Sequence, residues 1–586
     1  MRCRLWPHVR RGLTRRAAPP ITLGQNLAKS GATNLSVADR ADMGRALVLA
    51  SWGLPTKWNE GLYIRPKIPQ GRCPRPSEVE YVEERAASRT SLSAVINTVR
   101  EAGHEPDLVI IGLDTLAFPG SLDRLHPEAV KALEGLYAKA QRGEVGYGDV
   151  VEAARAVLAA YVRSYLQGYA EAERAEVVVV PGSGVYRAGG RATAYFHSDL
   201  RNAETAVLAK LYEKAQRSYD AVVVDMTHGV NYLASTLYKA SEVVARYISA
   251  AQRREVCYAV FNSDPVQSNK DRARINIVKL EQIGEEPSLF VGRAAEELED
   301  RLYVMTKPVR ADPPILDLDR QYRALSEKAR LHNIAQALAY GFGLYIFEKA
   351  RALSGMADEA RRLVGEALAA IYNTVRVEAQ KAARSEQEEL AVAVERTYGI
   401  DPSPVHLAMA LDVFAKNFGG LQTDEEGGVD LDLLRGLPLH EPASTILIHE
   451  IDEIKERIYM LGGAALPEGL YLDYNHIYEL TNMPAIQLRR KIEGERPAPC
   501  EGAEESGVVE GQPAGRPAES KREECDLNKR NYIAHAGLER TAICVKVQGG
   551  KMYVRYKRRC REALERILAG GTGQPQSGAQ PAGGLT

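Results

Sequence analysis

The sequence has no C-x-x-C pair, and none of its apolar runs approaches the roughly 18 residues needed to span a bilayer. Its seven cysteines (Cys3, Cys73, Cys257, Cys500, Cys525, Cys544 and Cys560) are scattered and odd in number. That spacing argues against both a zinc site and a disulfide framework. A reduced, cytoplasmic protein with no membrane segment is expected. An excess of one charge is missing as well: 76 Lys and Arg stand against 77 Asp and Glu, for a net charge of -1. Nothing about the whole chain therefore selects nucleic acid, and any basic surface must be local. Neither G-x-G-x-x-G nor G-x4-G-K-[ST] occurs, which disfavours a dinucleotide dehydrogenase and a P-loop NTPase.

What is present is a long chain of ordinary globular composition. Its 586 residues, 45% apolar and 26% charged, exceed one hydrophobic core and imply two or more domains. Residues 1–42 carry eight Lys and Arg against Asp39 and Asp42. They have no clean hydrophobic period and read as a disordered extension ahead of a start at Met43, with a targeting peptide as the other reading. From there strands alternate with helices. Strands are expected at 45–50, 107–113, 176–180, 221–224, 256–261 and 274–280, and helices at 126–142, 147–170 and from Asn231 to about 248. This pattern indicates a mostly parallel, doubly wound α/β Rossmann-like sheet over residues 43–283.

In such sheets ligands sit beyond the carboxyl ends of the strands. Every strand end here carries small or polar residues: Ser51, Trp52 and Gly53; Thr115; Gly182, Ser183 and Gly184; Thr227, His228, Gly229 and Asn231; Asn262. Glycines let a backbone come close to a ligand, and a helix opening after Gly229 aims free N–H groups at an anion. One such turn is ordinary loop chemistry. Five on one sheet edge are harder to dismiss.

Residues 284–320 read as a linker, with Pro287, Pro308, Pro313 and Pro314. Beyond it the period becomes 3.6. Helices are expected at 322–352, 357–397, 404–418, 442–460 and 476–492, giving an all-α helical domain over 321–568. Residues 419–437 read as a loop. Residues 494–526, rich in Glu, Gly, Pro and Ala, read as a disordered insertion, and 569–586 as a flexible tail. A small β-hairpin is expected from 541–547 and 551–556 around Gln548-Gly549-Gly550, followed by a helix to Leu568.

The remaining stretch, Arg530-Asn531-Tyr532-Ile533-Ala534-His535, sets a permanent cation, an amide and an imidazole on one short helical segment. Asn531 and His535 share a helix face, while Arg530 lies about 140° around from His535. A histidine moves protons near neutral pH, and an arginine forks onto a phosphate. On spacing alone the combination is common by chance. Residues 527–568 also hold eleven Lys and Arg against three Asp and Glu, a local excess fit to attract an RNA backbone.

Two signatures carry a resemblance. Asp225-Met226-Thr227-His228-Gly229-Val230-Asn231 is similar to the D-x-T-H-G-x-N signature of the CARF domain, and Arg530-Asn531-Tyr532-Ile533-Ala534-His535-Ala536-Gly537-Leu538 resembles the R-N-x3-H signature of HEPN ribonucleases. Their co-occurrence, in that order and on the expected fold types, resembles the CARF–HEPN ribonucleases of type III CRISPR systems over about 43–568. The resemblance implies a homodimer or higher homo-oligomer that cleaves single-stranded RNA without a metal or cofactor. It implies activation by a cyclic oligoadenylate, with cyclic tetraadenylate the first candidate. Arg530, Asn531 and His535 would be catalytic. Ser51, Trp52, Gly53, Gly182, Ser183, Gly184, Thr227, His228, Gly229, Asn231 and Asn262 would line the activator site. Two other classes stay open: a nucleotide-sensing regulator that binds nucleic acid without cutting it, and a metabolic enzyme with a nucleotide substrate.

Overall fold

The structure is a computed structural model. It describes residues 44–569 apart from 72, 123–124, 189–191, 230, 269, 307–312, 383–388, 463–465, 485–486, 489–490, 492–496, 501–524 and 526. The expected extension, most of the expected insertion and the tail from 570 lie outside the described residues.

In chain order the first strands are β1 Gly44–Ser51, β2 Leu62–Lys67, β3 Glu80–Glu83, β4 His104–Leu113, β5 Glu176–Val180, β6 Gly184–Ala188, β7 Ala192–His197, β8 Ala221–Asp225, β9 Val256–Ser263 and β10 Arg272–Ile283. Strands β9, β8, β1, β4 and β5 lie side by side and parallel. β10 runs antiparallel to β9, and β2 and β3 extend the sheet past it. The six expected strands are all present; β2, β3, β6 and β7 are additional.

Period-two alternation places this sheet between two helical layers. Leu47, Leu49, Val109, Ile111, Val222 and Val224 face a core shared with the helices Leu200–Lys214 and Asn231–Gln252. Ala46, Val48, Ala50, Leu108, Ile110 and Val223 face the opposite core, with Leu92–Glu101, Pro127–Gln141 and Tyr147–Tyr165. Such strands read as unbroken apolar runs because both faces are covered. Each fully buried Val, Leu or Ile contributes about 1.5–3 kcal/mol. The sheet grows from β1 toward β4 and β5 on one side and is completed by β8 and β9 on the other. The crevice between the ends of β1 and β8 is therefore the topological switch point.

The second half is helical, with further strands β11 Tyr303–Met305, β12 Val375–Ala382, β13 Glu389–Arg396, β14 Tyr398–Ile400, β15 Val429–Asp430, β16 Leu472–Asp473, β17 Ile543–Gln548 and β18 Lys551–Tyr556. β17 and β18 are the expected hairpin. Gly549 and Gly550 turn it with φ of +59° and +77°, the left-handed pair that a two-residue turn requires.

Several expectations are corrected. The helix expected at 357–397 ends at Asn373, and β12 and β13 follow as an antiparallel hairpin. Val375, Val377, Leu390, Val392 and Val394 alternate with period two, but Ala, Glu and Gln between them favour helix, and pairing with another segment decides the outcome. That segment is β7. β13 joins it in parallel from Leu390 opposite Ala192 to Glu395 opposite His197, giving a four-stranded sheet β12-β13-β7-β6. The helix expected at 322–352 is broken at Arg330 (φ +45°) and Gly341 (φ +75°) into Pro313–Ala329, Leu331–Tyr340 and Gly343–Asn373. Residues 284–320 contain the helix Pro287–Glu296 and β11. The loop expected at 419–437 contains β15 and the helix Leu431–Arg435.

The cysteine reading is also overturned. Cys73 pairs with Cys257, Cys500 with Cys544 and Cys525 with Cys560, across sequence separations of 184, 44 and 35 residues. Separations of that kind leave no spacing motif to read. No described helix is long and apolar enough to cross a membrane. One continuous apolar cluster runs from Leu47 in β1 to Leu568, so the two halves share a core.

Candidate functional site

The switch-point turns are stitched to one another. Asp225, at the end of β8 and 1% exposed, accepts from the Thr227 backbone N–H (3.0 Å), the Thr227 hydroxyl (2.6 Å) and the Ser91 hydroxyl (2.7 Å). Thr227 Oγ1 in turn accepts from the Ser263 N–H at the end of β9. The Gly53 N–H donates to the His228 carbonyl at 2.8 Å, tying the β1 turn to the β8 turn. Gly229 is fixed by sterics, because a Cβ there would lie 2.2 Å from Ser51 Oγ.

His228 stacks on Trp58, with ring centroids 3.8 Å apart, and its Nε2 accepts from the Ser91 N–H at 3.3 Å. Burial pushes its imidazole down to about 4, with Asp225 pulling weakly the other way. It is a neutral wall residue at physiological pH. Ser51 and Trp52 are 0% and 1% exposed, so they form the floor of the crevice rather than its surface; Ser51 Oγ and Trp52 Nε1 have no hydrogen-bond partner among the described residues. The Gly182 N–H donates to Asp114 Oδ1 at 2.7 Å, and the Ser183 hydroxyl to the Phe196 carbonyl at 3.3 Å. Gly184 starts β6 with φ +131° and is exposed, as is Asn262 on β9. Asn231 opens the helix Asn231–Gln252; its side chain lies outside the described residues. Trp58, Ser91 and Asp114 were not foreseen, since none lies in a glycine-rich turn.

Asp114 is an unexpected junction. Fully buried, it accepts from Gly182 N–H, Tyr147 O–H (2.9 Å) and the Arg396 guanidinium (2.8 Å), and Arg396 is itself only 1% exposed. Arg396 is the last residue of β13, so the segment between the two halves reaches the base of a switch-point loop.

In the helical half, Asn528 caps the helix Lys529–Ala534 by accepting from the N–H groups of Arg530 and Asn531. Tyr532, Ala536 and Leu538 are 0–2% exposed and hold the segment down, with Tyr532 edge-on to Phe342. Arg530 and Asn531 face solvent and His535 is half-exposed. The His535 N–H donates to the Asn531 carbonyl at 3.0 Å, completing one helical turn, as the four-residue spacing required. The chain then reverses through Ala536 (φ +46°) and Gly537 (φ +76°). A Cβ at Gly537 would meet Tyr556 Oη at 3.0 Å and the Phe342 ring at 3.2 Å. His535 Nδ1 lies 3.0 Å from Oε2 of Glu450, on the helix Ala443–Leu461. Glu450 was not foreseen, because nothing in the local sequence links it to His535.

Part of the basic excess of 527–568 is paired within the fold. Lys546 pairs with Asp424, Lys551 with Asp430, Arg555 with Glu426, Lys557 with Asp473 and Arg561 with Glu348. Among the described residues, the exposed Lys529 and Arg530 have no acidic partner, and Arg540 lies over Tyr478 at 4.4 Å. The positive surface thus includes Lys529 and Arg530 near His535, with Arg558 and Arg566 exposed as well. An accessible imidazole can move a proton, and an exposed guanidinium on the same short segment can neutralise a phosphoryl oxygen.

Comparison with protein families finds two matches. Residues 47–265 match the family described as the CARF domain of the CRISPR system endoribonuclease Csx1, and residues 440–559 match the HEPN domain of the same endoribonuclease. Together the matches span more than half of the chain. No curated protein matches it.

Proposed function

Because the chain belongs to the CARF–HEPN ribonucleases of CRISPR systems, a ligand sensor joined to a ribonuclease, we propose that it cleaves single-stranded RNA without a metal once a cyclic oligoadenylate, cyclic tetraadenylate first among them, occupies its sensor. The observation that carries the reading is the anchored turn that holds Arg530, Asn531 and His535 outward while Tyr532, Ala536 and Leu538 are buried beneath it.

RNA supplies its own nucleophile. The 2′-hydroxyl loses its proton to an imidazole and attacks the adjacent phosphorus. The bond to the 5′-oxygen breaks, and that oxygen takes up a proton. The products are a 2′,3′-cyclic phosphate and a 5′-hydroxyl. His535 is assigned the proton transfer, Arg530 the charge that develops on the phosphoryl oxygens, and Asn531 the orientation of the phosphate. In a homodimer two such segments would face one another, so that one imidazole receives a proton while the other supplies one. The activator is assigned to the switch-point crevice, against Thr227, His228, Gly229, Ser183, Gly184, Asn231 and Asn262, with Ser51, Trp52, Gly53 and Gly182 forming its floor. For the activator to switch the nuclease it must bind the active arrangement more tightly than the inactive one.

The test is cleavage of an end-labelled single-stranded RNA in EDTA, with and without cyclic tetraadenylate, by wild type and His535→Ala. Activator-dependent cleavage that is lost in the variant supports the reading. RNA binding without cleavage, across activators of several ring sizes, refutes it in favour of a non-cutting regulator.

A further inference from the structure

Resting on that reading, we infer that Glu450 is the positioning residue of the nuclease: its carboxylate fixes the tautomer and orientation of His535, leaving Nε2 as the atom that meets RNA. The geometry is specific. Glu450 Oε2 lies 3.0 Å from His535 Nδ1, the carboxylate side chain is 11% exposed and the imidazole 45%. A hydrogen bond at that distance requires the proton on Nδ1, because an ionised carboxylate only accepts. The Nε2 lone pair is then directed away from Glu450 and free to take the 2′-hydroxyl proton. Once the imidazolium forms, the same carboxylate stabilises it across the shared hydrogen bond.

The two elements are held independently. Glu450 sits mid-way along the 19-residue helix Ala443–Leu461, whose Leu447, Ile451 and Ile454 are buried in the core. His535 is held by the Tyr532–Leu538 anchor and the two left-handed residues that follow it. Neither position depends on the hydrogen bond, as a pre-set catalytic geometry requires.

Few other charges compete. On the same helix Glu453 and His449 face Glu450, and Glu453 is already held by Arg457 through two hydrogen bonds, at 3.0 and 2.7 Å. Tyr474, opening the helix Tyr474–Thr481, also faces it. Burial holds the Glu450 carboxyl above its ordinary range, and His535 pulls it back down. Among the described residues, His535 is the one side chain that donates a hydrogen bond to it.

The test uses full-length Glu450→Gln, which keeps shape and an acceptor oxygen but removes the charge, beside Glu450→Ala and wild type. Two quantities are read: activator-stimulated cleavage as kcat and KM, and the tautomer of the neutral His535 ring by 15N NMR of protein carrying ring-labelled histidine, assigned with His535→Ala. Glu450→Gln should lose about 10–100-fold in kcat with KM within about two-fold, the order seen when a group orienting a metal-bound histidine is replaced. Wild type should hold the Nδ1–H tautomer of His535, and Glu450→Ala, which offers no acceptor, should move the ring toward the Nε2–H form. An unchanged His535 tautomer in Glu450→Ala overturns the assignment, whether activity is retained or falls together with thermal stability. The NMR measurement needs no RNA cleavage. If wild type proves not to be a nuclease, the proposed function fails while the pairing of Glu450 with His535 is still decided.

Discussion

Replacing Arg396 with Met isolates the value of the ion pair beneath the sensor loops. Methionine has about the length and apolar bulk of the arginine stem, so the perturbation is chiefly loss of a charge that is 1% exposed and faces a carboxylate that is 0% exposed. Asp114 keeps Tyr147 O–H and Gly182 N–H as donors but loses its only charged partner. Removing one member of a buried pair costs about 3–5 kcal/mol, because the other is left uncompensated. The pH dependence follows from the direction of the Asp114 shift. Its carboxyl already lies above the usual carboxylate range, since burial outweighs the attraction of Arg396. Without Arg396 it rises further. A group held above its unfolded value takes up a proton on folding, so its contribution is fully present below the unfolded pKa and is lost as pH rises through the folded one. The penalty of Arg396→Met should therefore be small in acid. It should open above the wild-type Asp114 pKa at about 1.4 kcal/mol per pH unit and level off where the variant's Asp114 ionises. Urea unfolding followed by fluorescence from pH 5 to 8 measures this. Asp114→Asn combined with Arg396→Met removes the stranded charge and should recover more than half of the loss at pH 8. A cost below about 1 kcal/mol that is the same at every pH would refute the reasoning.

Two further outcomes follow from single positions. Gly229→Ala drives a methyl to within 2.2 Å of Ser51 Oγ and 2.9 Å of Ser51 Cβ; it should lower stability by about 1–3 kcal/mol and weaken cyclic tetraadenylate binding, measured by calorimetry, while Ser51→Gly in the same chain restores both. His406 is buried in the helix Ser403–Phe418 and its imidazole is pushed down to about 4 by burial. Its depressed value makes the fold lose stability as pH falls from about 6.5, where the unfolded imidazole charges, toward 4. His406→Leu should flatten that acid slope by up to about 1.4 kcal/mol per pH unit, and an unchanged slope in thermal melts counts against burial as the cause.

The sensor half was legible because its signals are local. A strand such as Asp107–Leu113 advertises burial on both faces through its own composition, and Thr227-His228-Gly229 sits in a turn whose glycine is enforced by Ser51 across the crevice. The Arg530–His535 segment was legible for the same reason: Asn528, Tyr532 and Gly537 are all neighbours in sequence. What escaped depends on pairings between distant segments. Cys73 and Cys257 meet only because β9 passes the loop after β2, and no spacing encodes that. Lys546 and Lys557 look like RNA-facing charges until Asp424 and Asp473 are folded against them. Glu450 looks like any glutamate on an amphipathic helix until His535 is packed over it. The β12–β13 hairpin was misread because the Ala, Glu and Gln between its valines prefer helix, and pairing with the edge of β7 decides for strand.

That edge bears on how such proteins can be taken apart or recombined. β7 belongs to the sensor by sequence, but its outer neighbour β13 comes from nearly two hundred residues further along and pairs in parallel, so no short turn can substitute for it. A sensor cut at residue 283 would expose a bare strand, an invitation to aggregate, and would leave Asp114 without Arg396. Grafting this sensor onto another effector therefore means transplanting the hairpin with it. The unit of exchange is the sheet, not the stretch of chain that carries the sensor's signature.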